Sequence, residues 1–377
     1  MSFQKPKGTQ DFSPEDMAAR NRVFEILRGV AQRYGFREVS TPAFETLDLL
    51  TKKEGEEIKQ QIFVLEKKGS EEYGLRFDLT VPLTRMFLEK EKELPKPVKW
   101  FCLDRMWRYE RQQKGRQREF YQFDAELFGS ESISADAEVI SLAIDCLKEL
   151  GLNENEFYVK LNSRILLQSL ISPLIGKASV EDVIGVIDKK DKLPPAIFLE
   201  ELDKLGVKAK EIAELISTPL ERIKPASKEG REELDRIKSL MNLLGNNKGL
   251  VRFDISLTRG LAYYTGIVFE AFDAEGKFRA LLGGGRYDKM VEQFGGTPTQ
   301  ATGFAMGYST LSLLLEEKQK FPKQEKGIDY YVAPVSEKEM PSALELVSAL
   351  REKTSAETDV MGRNLSNQFK YASRIGA

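Results

Sequence analysis

The stretch VKWFCLDRMWRYE at residues 98–110 is followed by the polar segment RQQKGRQR and then by EFYQFDAELFG at residues 119–129. Both flanking segments are rich in aromatic residues, which favour β-strands. Two strand-like segments joined by a polar loop predict an antiparallel hairpin with a long connection. We therefore predict a fold organised around a mainly antiparallel sheet.

Polar side chains follow one face of each predicted strand. Because successive side chains of a strand point to opposite faces, Gln122, Asp124 and Glu126 share one face of the second strand. Arg108 and Glu110 likewise share a face of the first strand. A solvated sheet face explains this pattern as well. The alternative is a site that sets cations beside carboxylates, as a small zwitterion and a phosphate would require.

Upstream of the hairpin, the sequence predicts an amphipathic helix and then a short strand. Ser13 and Pro14 are typical of a helix N-terminus, and Gly35 is typical of a helix end. Since proline cannot donate a hydrogen bond within a central strand, Pro42 indicates a sheet edge, a bend or an interface.

Downstream, short helical patterns replace strands and then strands return. Strand patterns recur at 251–255, 263–272 and 277–282, and the glycines at 283–285 suit a turn or a close approach to a ligand. From residue 327 the pattern alternates β-α-β-α, which predicts two parallel strands. Because two strands alone make a poor sheet, we expect this domain to be incomplete or covered by a partner. The predicted parts are a core with its first part at 1–163 and its second at 246–322, an inserted helical domain at 164–245, and an α/β domain at 327–377.

The chain contains no histidine among its 377 residues. This excludes Ser-His-Asp and Cys-His nucleophile pairs, imidazole bases and histidine-ligated metals. Cys102 and Cys146 form no CxxC pair, so neither a disulfide framework nor a metal centre is predicted. Chemistry restricted to Arg, Lys, Asp, Glu and Tyr favours stabilisation of charge over proton shuttling.

Charge and hydropathy restrict the partners and the compartment. With a net charge of -2, the protein surface as a whole does not attract nucleic acid, so binding of nucleic acid would require a local patch of positive charge. The loop at 111–118 carries four cations, which suit a triphosphate or an RNA backbone as well as a solvated hairpin tip. No apolar run approaches the roughly 18 residues of a membrane span, and no signal peptide is evident, so we expect a cytoplasmic protein.

Two further segments could hold a ligand or could be purely structural. RGLAYYTG at residues 259–266 precedes the apolar run IVFEAF, where a tyrosine pair commonly fills a core. Asp78 and Thr80 are ordinary helix-start residues, although their oxygens also suit an ammonium group. The sequence has no Walker A pattern, which disfavours common parallel-sheet nucleotide folds.

Together these segments resemble class II aminoacyl-tRNA synthetases, specifically the archaeal and eukaryotic type of the histidyl-tRNA synthetase family, from KPKGTQDF to the last residue. GFREVSTPAFE resembles motif 1, RMWRYERQQKGRQREFYQFDAELFG resembles motif 2, and RFDLTVPLTR resembles the segment that binds the substrate ammonium. RGLAYYTG with GGGRYD resembles the histidine-specific signature. The resemblance implies an α+β fold, with an antiparallel sheet flanked by helices, an inserted helical domain and the start of a C-terminal anticodon-binding domain.

The resemblance also implies an activity and a set of site residues. A homodimeric ligase would activate histidine with ATP to histidyl-adenylate and transfer it to the 3′ end of tRNA(His), with Mg²⁺ accompanying the ATP phosphates. The implied residues fall into three groups: for histidine, Asp78, Thr80, Gln122, Glu126, Tyr263 and Tyr264; for ATP, Arg108, Glu110, Arg116 and Phe120; and for catalysis, Arg108 and Arg259. Tyr263 suits core packing equally well.

One position departs from the pattern of the family. After GFAMG, motif 3 of the family carries an acid and an arginine, whereas this sequence has Ser309 and Thr310. Loss of a charged phosphate contact favours the alternative of a non-catalytic paralogue, such as the regulatory subunit of ATP phosphoribosyltransferase. The complete loop at 111–118 and the start of an anticodon-binding domain favour the synthetase.

Overall fold

The structure, a computed structural model, describes residues 3–52, 59–111, 113, 115–258, 263–322 and 327–377. The chain divides into two compact units, Met1–Phe321 and Pro322–Ala377. Within the described residues, no helix combines the length and apolar character needed to cross a membrane.

The first unit alternates helices and strands as follows: α1 Pro14–Arg33, β1 Arg37–Glu38, β2 Phe44–Thr46, α2 Leu47–Thr51, β3 Tyr73–Leu75, α3 Thr80–Lys90, β4 Val98–Trp107, β5 Glu119–Phe128, α4 Ile133–Glu149, β6 Phe157–Ser163, α5 Arg164–Ile171, α6 Val180–Ile187, α7 Pro195–Lys204, α8 Ala209–Leu215, α9 Lys228–Leu243, β7 Val251–Phe253, β8 Ile267–Asp273, β9 Leu282–Arg286, α10 Met290–Gln293, β10 Ala301–Gly307 and α11 Tyr308–Glu317. Short 3₁₀ turns span Ser172–Leu174, Lys190–Lys192, Leu220–Arg222 and Gly245–Leu250.

An eight-stranded sheet in the order β1-β4-β5-β10-β9-β8-β6-β7 organises this unit. Its pairs are antiparallel except at the two edges, where β1 runs parallel to β4 and β7 runs parallel to β6. The predicted hairpin is present, with Val98 opposite Phe128 and Trp107 opposite Glu119. Strand β5 also pairs with β10, so the polar face of the hairpin lies in the middle of the sheet. The expected α+β fold with a mainly antiparallel sheet is confirmed.

Helices cover the apolar face of the hairpin. Helix α1 begins at a capping box, in which the Ser13 hydroxyl accepts from the Asp16 amide at 3.2 Å and the Asp16 carboxylate accepts from the Ser13 amide at 3.0 Å. The buried side of α1 packs with α4 and with Phe123 and Leu127 of β5 in one core. Side chains that alternate with these residues must therefore point to the opposite face of the sheet.

Helices α5–α9 occupy the chain between β6 and β7. Their buried residues, including Leu167 and Ile237, belong to the same apolar core as α1 and α4. The helical character predicted for this stretch is present, while its independence as an inserted domain stays a prediction.

Two of the strand boundaries expected from the sequence are wrong. Strand β8 begins at Ile267 rather than near residue 263, and the strand expected at 277–282 is instead β9 at Leu282–Arg286, which contains the glycine cluster. The glycines therefore lie inside a strand rather than in a turn. A Cβ on Gly284 would collide with the ring of Phe269 at 2.6 Å, because neighbouring strands pack tightly on both sides.

The second unit contains β11 Tyr330–Val332, a 3₁₀ turn at Glu337–Glu339, α12 Met340–Arg351, β12 Ala356–Thr358 and α13 Leu365–Ile375. Strands β11 and β12 pair in parallel, with Tyr331 opposite Glu357. This is the β-α-β-α order that the sequence predicts.

Candidate active site

A cleft of about 240 Å³ lies beside the β4–β5 hairpin. The hairpin loop, the connection from β8 to β9 and the start of α11 line it. The polar and aromatic lining residues are Arg108, Glu110, Arg116, Gln117, Phe120, Gln122, Glu270, Arg279, Ser309 and Thr310. The cleft thus combines cations, carboxylates and an aromatic ring, as the alternation of the hairpin predicts.

Arg108 is fixed where β4 ends. Its Nε donates to the carbonyl oxygen of Phe77 at 2.8 Å, and its guanidinium carbon lies 5.2 Å from the ring centre of Phe120. A guanidinium held over an aromatic face is a rigid cation, because both the hydrogen bond and the ring restrict its rotamers.

The hairpin loop carries an internal ion pair. Arg116 pairs with Glu110, whose side chain is only 7% exposed, whereas the side chain of Arg116 is 35% exposed. The sequence assigns these two residues to different parts of ATP. In the structure these two residues pair with each other, and their separate roles toward ATP stay predictions.

Next to Arg108 lies a group of three buried carboxyl groups, Asp78, Asp124 and Glu126, here called the acidic pocket. Glu126 accepts a hydrogen bond from the Thr80 hydroxyl at 2.7 Å and another from the hydroxyl of Tyr287. Burial raises the pKa of Glu126 from 4.5 to about 8, against the opposing effect of these two donors.

The other two carboxyl groups of the acidic pocket lack full hydrogen bonding. In the described part of the chain, Oδ2 of Asp78 has no hydrogen-bond partner, and neither do the two carboxylate oxygens of Asp124. Burial raises the pKa of Asp78 to about 6, partly offset by Arg108. Burial and the charges of Glu126 and Asp78 raise the pKa of Asp124 well above its usual range, against the opposing effects of Arg108 and, more weakly, of Gln122.

Among the described residues, Arg108 is the cation that acts on this acidic pocket, through Asp78 and Asp124. Buried carboxylates without partners are costly. A bound ammonium group would supply both a charge and three hydrogen-bond donors, so the pocket is suited to an amino compound.

The tyrosines of RGLAYYTG lie beside the pocket. Tyr264 is 5% exposed and its ring centre lies 4.7 Å from that of Tyr263, which in turn lies 5.9 Å from that of Tyr287. Tyr287 donates a hydrogen bond to Glu126. Tyr263 and Tyr264 therefore form part of the wall around the Glu126 carboxyl group. Arg259 lies outside the described residues, so its role stays a prediction.

Sequence reasoning missed Tyr287 and Asp124 as site residues. Tyr287 stands within GGGRYD and Asp124 stands within the alternating face of β5, so both belonged to noted patterns. A buried ion pair between Arg286 and Asp136, with Nη2 to Oδ2 at 2.8 Å, fixes the residue next to Tyr287. Neither role follows from spacing, because Tyr287 depends on its bond to Glu126, 161 residues away, and Asp124 depends on the charges of Asp78 and Arg108.

The position that departs from the family pattern lies in the cleft. The hydroxyl of Thr310 donates to the carbonyl oxygen of Gly115, at the tip of the hairpin loop, over 3.4 Å. Gly115 has φ +76°, which favours glycine, and a Cβ there would lie 3.3 Å from Oγ1 of Thr310. The loop tip thus rests directly on the first turn of α11.

Replacing Gly303 with alanine should destabilise the protein and distort the acidic pocket. Gly303 pairs with Glu126 across β10 and β5, and a Cβ there would collide with the Glu126 carboxylate. We expect a loss of about 1–3 kcal/mol in the free energy of unfolding, measured by urea denaturation. Gly307→Ala is the matched control, since a Cβ on Gly307 meets nothing within 4 Å. Equal stability of the two variants would contradict this account of Gly303.

The antiparallel sheet, its arginine-bearing hairpin and the adjoining cleft define the fold of class II aminoacyl-tRNA synthetases. The structure is similar to histidyl-tRNA synthetase from Nostoc sp. PCC 7120, with a TM-score of 0.82, 23% identity, and coverage of 100% of this chain and 90% of that one. It is equally similar to an ATP phosphoribosyltransferase regulatory subunit/histidyl-tRNA synthetase from Bacillus halodurans, with a TM-score of 0.82, 24% identity, and coverage of 99% and 97%. At these identities the similarity establishes the fold alone.

Sequence comparison establishes the family. Residues 8–311 match the family model described as histidyl-tRNA synthetase. The chain is 38% identical to the histidine-tRNA ligase of Haloarcula marismortui, over 100% of this chain and 89% of the relative. It is also 38% identical to that of Pyrococcus horikoshii, over 100% and 90%. The chain belongs to the histidyl-tRNA synthetase family and is an aminoacyl-tRNA ligase.

Proposed function

We propose that the protein activates histidine with ATP to histidyl-adenylate and transfers the histidyl group to the 3′ end of tRNA(His). The observation that carries this proposal is the acidic pocket of Asp78, Asp124 and Glu126, which is buried, short of hydrogen-bond partners and adjacent to Arg108. An amino acid bound there would place its ammonium among the carboxylates and its own carboxylate toward the arginine.

The roles proposed for the histidine pocket follow from its contacts. Asp78, Thr80 and Gln122 would receive the ammonium group; Thr80 already donates its proton to Glu126, which leaves its hydroxyl oxygen able to accept. Glu126 and Tyr264 would hydrogen-bond the two imidazole nitrogens. An apolar amino acid would leave these buried groups unpaired, so the pocket should reject it strongly.

Activation requires position and charge neutralisation. The histidine carboxylate attacks the α-phosphorus of ATP in line, a new carboxylate-phosphate bond forms, and pyrophosphate leaves. Arg108 would hold both reacting groups, as would Arg259. Phe120 would stack on adenine, Glu110 would help to read it and Arg116 would grip the distal phosphates, with Mg²⁺ bound to ATP as part of the substrate. A carboxylate nucleophile needs no general base, so the absence of histidine side chains is no obstacle.

Histidine should stabilise the protein more strongly at pH 8 than at pH 6. The raised pKa values of Asp78, about 6, and Glu126, about 8, mean that the folded state holds more protons than the unfolded state below those values. The free energy of unfolding of the free protein therefore falls as pH rises, by up to about 1.4 kcal/mol per pH unit for each group between its ordinary and its raised pKa, that is from 3.8 to about 6 for Asp78 and from 4.5 to about 8 for Glu126. In bound histidine, the ammonium would favour ionised Asp78 and an imidazole N–H donated to Glu126 would favour its ionised form, so both offset this loss.

The measurement for this pH dependence is the rise in thermal midpoint caused by saturating histidine at pH 6, 7 and 8. Glu126→Gln, which removes the carboxyl group whose pKa burial raises to about 8, should flatten the dependence. Glu233→Gln is the control, because Glu233 is also buried and also accepts from a hydroxyl, that of Ser163, but lies outside the pocket. A histidine effect that is equal at pH 6 and pH 8 would contradict the prediction.

We also propose that the protein is a homodimer and that its C-terminal unit approaches the anticodon. Strand β1, within the segment that resembles motif 1, lies at the edge of the sheet, and Phe44 beyond it is 48% exposed. An edge strand beside an exposed aromatic residue suits pairing with a second copy. Sedimentation equilibrium should give twice the chain mass.

The second candidate is a non-catalytic paralogue that binds histidine and regulates another enzyme. Thr310 favours it, since the first turn of α11 offers the cleft neutral hydroxyl groups. Charging of purified tRNA(His) with labelled histidine separates the two proposals. The synthetase should charge tRNA(His) and leave other tRNAs uncharged, whereas a folded protein that binds histidine without charging any tRNA would support the paralogue.

A further inference from the structure

Among the described residues, three arginines line the cleft, and two of them have proposed roles. The third, Arg279, is exposed and lies in the connection between β8 and β9. Its guanidinium donates to the side-chain oxygen of Gln113 at 2.5 Å. Gln113 belongs to the same hairpin loop as Arg116, so Arg279 spans the cleft from the opposite wall.

The three arginines differ in how their charge is balanced. Arg116 pairs with Glu110, and Arg108 faces Asp78 and Asp124. Arg279 contacts a neutral amide, and in the described part of the chain it forms no salt bridge. A guanidinium held by an uncharged partner keeps its full attraction for an anion.

The wall formed by α11 cannot supply a cation. Ser309 and Thr310 are its lining side chains, both neutral, and the hydroxyl of Thr310 is directed to the carbonyl oxygen of Gly115. An anion that extends along the cleft from Arg108 therefore meets its next cations on the hairpin loop and at Arg279.

We infer that Arg279 binds the triphosphate of ATP, and that it supplies from the β8–β9 connection the charge that the first turn of α11 lacks. The inference rests on the proposed function and names a further substrate-binding residue for it. A guanidinium presents its donors in a planar fork that matches two phosphate oxygens. Because Gln113 holds Arg279 against the hairpin loop, the same anion can be bound by Arg279 and Arg116 together.

The test compares two variants of the full chain. Arg279→Gln keeps a side chain that can hydrogen-bond Gln113 but removes the charge, and Arg279→Lys keeps the charge but removes the fork. Calorimetric titration with ATP should show about tenfold weaker binding for Arg279→Gln, the effect of one lost charge-assisted hydrogen bond. Arg279→Lys should lose less ATP affinity than Arg279→Gln. Binding of adenosine and of histidine should be unchanged in both variants.

Lys277→Gln is the matched control. Lys277 lies in the same connection, but it pairs with Glu275 and Glu317 and is not part of the cleft lining. Its ATP affinity should equal that of the wild type. Unchanged ATP affinity in Arg279→Gln would overturn the inference, as would equal losses for ATP and adenosine, which indicate a packing role.

These outcomes are distinguishable from failure of the proposed function. If the wild type binds no ATP, both the inference and the proposed function are overturned. If the wild type activates histidine and Arg279→Gln does so with the same KM for ATP, only the inference is overturned.

Discussion

Arg108→Gln should lower the kcat of histidine-dependent ATP-pyrophosphate exchange by about a hundredfold or more, the effect of losing one fixed donor to a developing charge. The bond from Nε of Arg108 to the Phe77 carbonyl and the Phe120 ring beneath the guanidinium hold the cation rigidly. Its removal also leaves Asp78 and Asp124 without their nearby counter-charge. Arg108→Lys restores a charge without the planar fork, and we expect it to recover only part of the activity.

Arg105→Gln is the control for this prediction. Arg105 belongs to the same strand, but it contacts the ring of Tyr121 and pairs with Glu119 on the surface. Its exchange rate should match that of the wild type. Equal losses in the Arg105 and Arg108 variants would mean that the hairpin is merely destabilised, and circular dichroism of both proteins would detect this.

Glu126→Gln should raise the KM for histidine by about a hundredfold, because it replaces a buried carboxyl group that accepts from two hydroxyls and leaves one of those donors unpaired. The carboxylate accepts from both Thr80 and Tyr287, whereas an amide has only one oxygen to offer them. The amide NH₂ group would then face a hydroxyl donor. The KM for ATP should change far less.

Two further variants define the cause of that effect. Tyr287→Phe removes one donor while keeping the charge of Glu126, so its KM for histidine should rise by a smaller factor. Glu233→Gln alters a buried glutamate bonded to Ser163, outside the cleft, and should leave both KM values unchanged. A normal KM for histidine in Glu126→Gln would remove Glu126 from the histidine pocket.

The sheet and one face of the site could be predicted because their signals are local. The alternation in β5 places Gln122 and Glu126 on one face whatever the rest of the chain does. The structure confirms the hairpin and shows that the opposite face packs on α1. Period and composition therefore place these polar side chains on one face, although alone they do not distinguish a site from a solvated sheet face.

The contacts that make the site specific depend on strand order, which the sequence does not encode locally. Glu126 and Tyr287 are 161 residues apart and meet because β10 lies between β5 and β9. The same strand order explains why the turn predicted at residues 283–285 is wrong. Glycine is typical of turns, but Gly284 is required inside β9 because the neighbouring Phe269 leaves no room for a side chain.

The most direct test is ATP-pyrophosphate exchange by the full chain, with each of the standard amino acids supplied in turn with ATP and Mg²⁺. The acidic pocket and the arginine-lined cleft predict exchange that depends on histidine and is abolished by Arg108→Gln. A folded protein that binds histidine yet catalyses no exchange at saturating ATP would contradict the proposed activation step.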